Sequence, residues 1–134
     1  MTRVVVETGS GGVEARNVKA DRISIDVGSG GIRVETLTTD DLKVDTGSGS
    51  VRLELGNVPS ATDIDTGSGG VTIALPADAN AMLDIDTGSG GISSDFPVTA
   101  DSFQRRELRG KIGNGGPMIR ISTGSGGVRL QKRF

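Results

Sequence analysis

The sequence repeats the stretch Thr8-Gly9-Ser10-Gly11-Gly12-Val13, in which a glycine-rich segment leads into a β-branched residue. Variants of this stretch return at residues 27–32, 46–51, 66–71, 87–92 and 123–128. The first glycines fall at positions 9, 28, 47, 67, 88 and 124, so the steps are 19, 19, 20, 21 and 36 residues. A period near twenty predicts one structural unit stacked on copies of itself.

Each repeat opens with alternating apolar and polar residues, as in Ile23-Ser24-Ile25-Asp26. This period of two predicts a strand with one buried face. The Gly-Ser-Gly-Gly that follows predicts a turn, because glycine adopts positive φ freely and leaves room for close stacking. Ser50 replaces the last glycine in the third copy, so that turn position is the least demanding. A second strand and a looser return segment with one apolar residue complete the unit, as at Val18, Leu37 and Val58.

Aligned repeats give three columns that differ in chemistry. The apolar column is predicted to face inward and contains Val6, Ile25, Val44, Ile64, Ile85 and Ile121. A second column is also predicted inside, because valine replaces threonine there without breaking the repeat; it contains Thr8, Val27, Thr46, Thr66, Thr87 and Thr123. Alternation places the column between them outside, and it contains Glu7, Asp26, Asp45, Asp65, Asp86 and Ser122.

These patterns predict an all-β fold, a single-domain parallel β-solenoid (β-helix) over residues 1–134. The predicted coils, stacked in chain order, span residues 4–22, 23–41, 42–61, 62–82, 83–118 and 119–134. At about 4.8 Å per coil, six coils would give a rod roughly 25–30 Å long. A right-handed coil is favoured, since parallel crossovers are right-handed in nearly all cases. The fifth coil carries an irregular insertion, residues 97–118, predicted as a loop over 97–104 and then a degenerate strand that covers the end of the stack.

Composition excludes several classes of function. The chain has no cysteine and no histidine, which removes disulfides, thiol chemistry and the commonest general base. No apolar run approaches the roughly 20 residues of a membrane span. No signal peptide is recognisable, and a repeat begins almost at once with Val4-Val5-Val6 and no capping element before it. We therefore expect the chain to be a domain excised from a larger protein.

The net charge of −2 conceals an asymmetry: residues 1–104 carry 7 basic and 16 acidic side chains, and residues 105–134 carry 8 basic and 1 acidic. The basic set is a candidate interaction surface near one end of the rod: Arg105, Arg106, Arg109, Lys111, Arg120, Arg129, Lys132 and Arg133. It could protect an open sheet edge. It could also dock an anionic envelope polymer, a lipid surface or the acidic coils of another copy. Nucleic acid is not a predicted partner, because the chain lacks aromatics placed to stack on bases.

The acidic column suggests two kinds of chemistry. Asp45-Thr46-Gly47-Ser48 matches the motif of aspartic proteases, in which two facing aspartates share a proton. Stacked copies would instead lie side by side along one edge, so no catalytic residue and no enzyme is predicted. Five acids one coil apart repel by about 0.9 kcal/mol per neighbouring pair in water. A cation could relieve this, which makes Asp26, Asp45, Asp65 and Asp86 weak metal candidates beside the simpler reading of a solvated face. No cofactor is predicted.

The chain resembles a bacterial family, the putative-adhesin β-solenoid domains of unknown function. The resemblance rests on the repeated Asp-Thr-Gly-Ser-Gly-Gly-Val turn, the linker at residues 75–79 and the two segments 110–117 and 119–126, and it covers nearly the whole chain. It implies a β-solenoid, an extracellular or cell-envelope setting and no known catalytic residues.

The predicted function is thus a non-enzymatic structural or adhesin-like module of the bacterial envelope, acting as a rigid stalk or interaction surface. One alternative is self-assembly, in which open coil ends stack head-to-tail into filaments. Another is a surface that binds cations or polysaccharide, suggested by the acidic column and by the column of outward serines that follows the first glycine of each turn.

Overall fold

A computed structural model describes residues 3–57, 60–76, 79–94, 98–104 and 107–132, and within them every regular element is a strand. In chain order the strands are β1 (Arg3–Thr8), β2 (Val13–Lys19), β3 (Arg22–Ser29), β4 (Ile32–Thr38), β5 (Asp41–Ser48), β6 (Val51–Leu55), β7 (Ala61–Ser68), β8 (Val71–Leu75), β9 (Ala81–Thr87), β10 (Ile92–Ser94), β11 (Val98–Gln104), β12 (Glu107–Ile112), β13 (Met118–Ser125) and β14 (Val128–Lys132).

The strands form two sheets, which are linked by the glycine-rich turns. The first, of eight strands, has the order β1-β3-β5-β7-β13-β9-β12-β11, and the second, of six, has the order β10-β14-β8-β6-β4-β2. Each repeat contributes one strand to each sheet, and strands of different repeats pair in parallel. This confirms the predicted all-β architecture with parallel sheets.

The predicted inward columns form the core. Ile64, Ile85 and Ile121 have no exposed surface, and the threonines at 46, 66, 87 and 123 are as well buried as Val27. The threonine hydroxyls are satisfied by the turn that follows: Thr46 donates to the carbonyl of Ser48 at 3.0 Å, and Thr123 donates to that of Ser125 at 2.8 Å. A buried hydroxyl that finds an acceptor two residues later costs little, so threonine and valine alternate in one column.

In every turn except the first, two of the three glycine positions stack too closely on the neighbouring turn for a side chain. Gly49 has φ of 119°, and a Cβ placed on it would lie 2.2 Å from the carbonyl oxygen of Gly30 in the neighbouring turn. The last position is roomier, since a Cβ on Gly70 would lie 3.4 Å from the Gly127 carbonyl oxygen. Ser50 occupies this roomier position, as the sequence indicated.

The predicted stacking in chain order is wrong for the last repeat. β13 lies between β7 and β9, and β14 lies between β8 and β10, so residues 118–132 are inserted between the fourth and fifth repeats. The turns follow the same order: Gly124 packs against Gly67, and Gly88 packs against Gly124.

Surface charge gives a physical reason for this order. In register across the eight-stranded sheet, one outward column reads Lys43, Asp63, Arg120, Asp84 and Arg109, with alternating sign. Stacking in chain order would instead place Asp84 beside Asp63 and Asp86 beside Asp65. Like charges directly opposite one another destabilise a sheet.

The insertion forms a hairpin. β12 pairs antiparallel with β9, and β11 pairs antiparallel with β12. The predicted loop over 97–104 is therefore wrong from residue 98 onward, where the backbone is β11 with a register shift between Ala100 and Ser102. Pairing with β12 on both sides of this shift holds the segment extended despite the weak strand propensity of Ser102. Val58, predicted as the apolar residue of a return segment, and Pro97, predicted as the start of the loop, lie outside the described residues.

Candidate functional site

The acidic column forms a row on the outer face of the eight-stranded sheet. Glu7, Asp26, Asp45 and Asp65 lie in register on β1, β3, β5 and β7, and all four are exposed. Ser122 on β13 follows Asp65, so Asp86 is separated from the other acids by one strand. The row therefore contains four successive acids rather than five.

Asp45, in the middle of this row, lies among other carboxylates that repel its charge. Partial burial raises the pKa of the Asp45 carboxyl, and the neighbouring carboxylates of Asp65, Asp26 and Asp63 raise it further, against a smaller lowering by Lys43. The folded state thus holds a proton on Asp45 more tightly than the unfolded chain does.

The geometry of the row does not resemble a metal site. The carboxylates project from successive parallel strands instead of converging on one point, whereas a calcium ion needs six to eight oxygens around it. Across the described part of the chain, no group of three or more His, Cys, Asp or Glu side chains is placed to hold a metal ion.

The protease-like motifs have the arrangement that the repeat predicts. Asp45 and Asp65 are paired in parallel register, so both side chains project from the same face of the sheet. A proton-sharing pair of the aspartic-protease kind requires two such carboxylates facing each other across a cleft. This arrangement is a line of solvated acids and offers no substrate cleft between them.

The structure divides the predicted basic set between two faces. Arg120 and Arg109 lie on the eight-stranded sheet, where they flank Asp84 at 3.9 Å and 3.7 Å. Lys111 lies nearby in register with Met82, but Arg129 lies on the six-stranded sheet. Lys132 ends β14, and its side chain is not described; Arg105, Arg106 and Arg133 lie outside the described residues.

A second basic row, which the sequence reading missed, runs across the six-stranded sheet. Arg33 on β4 and Arg52 on β6 are paired in register, followed by Thr72 on β8 and Arg129 on β14. The three arginines are exposed. Arg33 contacts Glu35 at 3.6 Å, whereas no carboxylate among the described residues lies within 4.0 Å of Arg52 or Arg129. The sequence contained a signal for this row, because each of the three arginines is the second residue after its glycine-rich turn.

A shallow depression of about 420 Å³ runs beside this row. Gly12, Gly31 and Ser50, the last residues of three successive turns, form one side of it, and Glu14, Arg33 and Arg52 form the other. Because glycine lacks a side chain, the turn backbone is accessible along the depression. Two exposed arginines on neighbouring strands beside an open groove can each donate hydrogen bonds to carboxylate or sulfate groups.

A family model described as Toastrack DUF4097 matches residues 1–131. The chain belongs to the Toastrack DUF4097 family. Its parallel sheets are those of a β-solenoid-like fold, as expected for a Toastrack domain.

A solved structure has the same fold as this Toastrack chain. It is described as a putative cell adhesion protein from Clostridium sporogenes, and it superposes with a TM-score of 0.72 at 12% sequence identity. The match covers 98% of this chain and 92% of that one. No curated protein matches the chain. Among the residues that the structure describes, none belongs to a helix that could cross a membrane.

Proposed function

We propose that this Toastrack chain is a non-enzymatic, adhesin-like module of the bacterial cell envelope that binds anionic polysaccharide along Arg33 and Arg52. The observation that carries the proposal is the in-register pair of exposed guanidinium groups beside the groove of glycine turns. The likeness in fold to a protein described as a cell adhesion protein supports the adhesive role.

The arginine row is suited to a repeating anionic chain more than to a small ligand. Arg33 and Arg52 lie on neighbouring strands, about 4.8 Å apart, and Arg129 extends the row two strands further on. Adjacent like charges repel, and an anion lying across both arginines removes that repulsion. Exposed single contacts are weak, so useful affinity requires several contacts along the same chain.

The parallel stack supports the display role. Six strand pairs, joined by closely stacked glycine-rich turns, hold the outward residues at fixed spacing. Such a scaffold would serve as a rigid stalk or display surface outside the cell. The acidic row is poorly suited to hold a cation, since its carboxylates do not converge on one point.

Binding of immobilised alginate, a polyuronate, tests the proposal, with neutral dextran as the control polymer. The double variant Arg33→Gln/Arg52→Gln should bind alginate at least about tenfold more weakly than the parent. Added salt should also lower the affinity of the parent for alginate, because it screens the arginine charges. The matched control is Arg22→Gln/Lys43→Gln, which removes the same charge from exposed positions on the other sheet. Equal losses in both double variants, or parental binding by the first, would refute the arginine site.

A further inference from the structure

The two ends of the stack differ in how they are covered, and the first coil leaves part of the core exposed. In the first coil, the inward residues Val4, Val6, Val13, Ala15 and Val18 are only partly buried. Their counterparts one coil further in are almost fully buried: Ile23, Ile25, Ile32, Val34 and Leu37 are 0–4% exposed. A small apolar cavity of about 40 Å³ lies among the same residues. Over the described part of the chain, nothing covers this end of the core.

The open end also presents two free strand edges. β1 pairs only with β3, and β2 pairs only with β4, so each has one unpaired edge of backbone N–H and C=O groups. Val5, at the middle of β1, is 51% exposed, which is the largest exposure of any large apolar side chain in the described residues. An edge of this kind is a template for another strand.

We propose that this end binds the same end of a second copy of the chain, with β1 pairing antiparallel to β1 of the other copy about Val5. In this register Val5 lies opposite Val5, and Val4 lies opposite Val6. Arg3 of each copy lies opposite Glu7 of the other. Arg3 and Glu7 are both exposed, and neither has an ion-pair partner among the described residues. Two new ion pairs would therefore frame one apolar contact.

The second edge is also complementary to itself in charge ahead of Asn17, whose φ of 53° interrupts the strand, although Arg16 already contacts Glu35 at 3.3 Å. Antiparallel pairing of β2 with its copy about Ala15 places Glu14 opposite Arg16 and Arg16 opposite Glu14. Val5 lies three residues before the end of β1, and Ala15 lies two residues after the start of β2. One two-fold axis can therefore pass close to both residues, and both edges can pair at once. A two-fold contact of this kind closes on itself.

The other end of the stack is less suited to pairing. There the eight-stranded sheet ends in β11, whose register with β12 shifts between Ala100 and Ser102, and the six-stranded sheet ends in β10, which has three residues. Irregular and short edges discourage strand addition. A closed dimer is thus favoured over the head-to-tail filament that the sequence suggested.

Disulfide trapping of the 134-residue chain tests the register, because the sequence has no cysteine. Directly opposed residues in an antiparallel pair have Cα atoms about 4.5–5.5 Å apart, within the range of a disulfide. Val5→Cys should therefore form a covalent dimer under mild oxidation. The matched control is Ser24→Cys, at the equivalent position one coil inward. Two such positions would lie about 14 Å apart across the dimer and should not cross-link.

Sedimentation velocity from about 10 μM to 1 mM tests the charges, since an interface of two strand edges is small and its dimer weak. Arg3→Glu and Glu7→Arg should each abolish dimers when alone. A mixture of the two variants should restore them, because only the mixed dimer pairs opposite charges on both sides of Val5. Met118→Lys, at the other large exposed apolar residue, should leave dimerisation unchanged.

The outcomes separate the possible occupants of this end. Cross-linking of Val5→Cys together with rescue in the mixture would establish the two-fold dimer. A monomer at every concentration would refute it and leave the end to another segment or partner. Fibres that persist in the Arg3→Glu variant would also refute the dimer, and they would support the head-to-tail filament instead. The Arg33→Gln/Arg52→Gln variant should dimerise normally, so this proposal stands apart from the polysaccharide site.

Discussion

The repeats over residues 3–75 and those over residues 81–132 share one core pattern but are assembled differently. In the first region each repeat packs on the one before it in the chain, from β1/β2 to β7/β8. In the second, β13 and β14 are inserted ahead of β9 and β10. A repeated core therefore specifies that the repeats stack without specifying their order. Ile64, Ile121 and Ile85 are interchangeable neighbours in one column.

Surface charges can decide the order because the core is indifferent to it. Exposed ion pairs and like-charge contacts are each worth at most about 1 kcal/mol. Between two orders that bury the same apolar columns, the insertion replaces two like-charge contacts with the Asp63–Arg120–Asp84 alternation and the Ser122 spacer. Free-energy differences of this size can select one order, because the hydrophobic contribution is the same in both.

A charge in the shared core column should destabilise the protein more than any other change considered below. Ile121→Asp should unfold the whole chain, as Ile64→Asp should, with a loss of at least about 3 kcal/mol from an unpaired buried carboxylate. Thermal melts followed by circular dichroism would measure this. Met118→Asp, at an exposed position outside the core and away from the proposed dimer contact, is the control. If Ile121→Asp loosened only part of the structure, the last repeat would be an appended unit and not an inserted one.

Glycine substitutions should distinguish stacked turns from the terminal one. A Cβ on Gly47 or Gly124 would lie 2.5–2.6 Å from the carbonyl oxygen of the neighbouring turn, whereas a Cβ on Gly9 meets nothing within 4 Å. Gly47→Ala and Gly124→Ala should therefore each destabilise by about 2–3 kcal/mol in urea unfolding, and Gly9→Ala by less than about 0.5 kcal/mol. If Gly124→Ala left the free energy of unfolding unchanged, its turn would not be inserted between two others.

Charge reversal at Arg120 tests the basis of the order. Arg120→Asp creates three successive acids with Asp63 and Asp84, and we expect a loss of about 1 kcal/mol in the free energy of unfolding. Arg129→Asp makes the same charge change on the other sheet, where its two in-register neighbours, Thr72 and Ser93, are uncharged, and should cost less. Equal losses would show that local charge order contributes nothing to the arrangement.

The smallest effect concerns the acidic row and pH. The pKa of Asp45 is raised in the folded state, so the folded chain is favoured by its protonation. Its ionisation therefore lowers stability as pH rises through the folded pKa. Asp45→Asn should stabilise by about 0.5 kcal/mol at pH 7, and the gain should vanish below about pH 4. Ser122→Asp, which extends the row into β13, should do the opposite. Urea titrations at both pH values measure the two changes.

The sequence predicted the local features because each depends on one repeat. Alternation placed Ile64 inside and Asp65 outside, and the Val27 replacement identified the buried threonines. The order of the last two repeats could not be predicted from Ile85 and Ile121, since both fit either place. It depends on which charges meet between strands far apart in the chain.

The candidate surfaces were predictable to different degrees for the same reason. The acidic row follows one repeat position and was visible in the alignment. The arginine row follows another, but Thr72 and Ser93 interrupt it, and it emerges only when Arg33, Arg52 and Arg129 are placed on one sheet. The basic set was clustered in sequence and yet divided in space, because β13 and β14 belong to different sheets.

The inserted repeat also determines how the fold would resist tension. β13 is hydrogen-bonded to a strand on each side, and so is β14. A pulling force applied beyond residue 132 would load two ladders of each strand together, whereas a terminal repeat would separate along a single ladder. Resistance to forced unfolding is set by the rate of this rupture. A module that holds a cell to a surface under flow would thus be anchored one coil inside its stack instead of at the last coil.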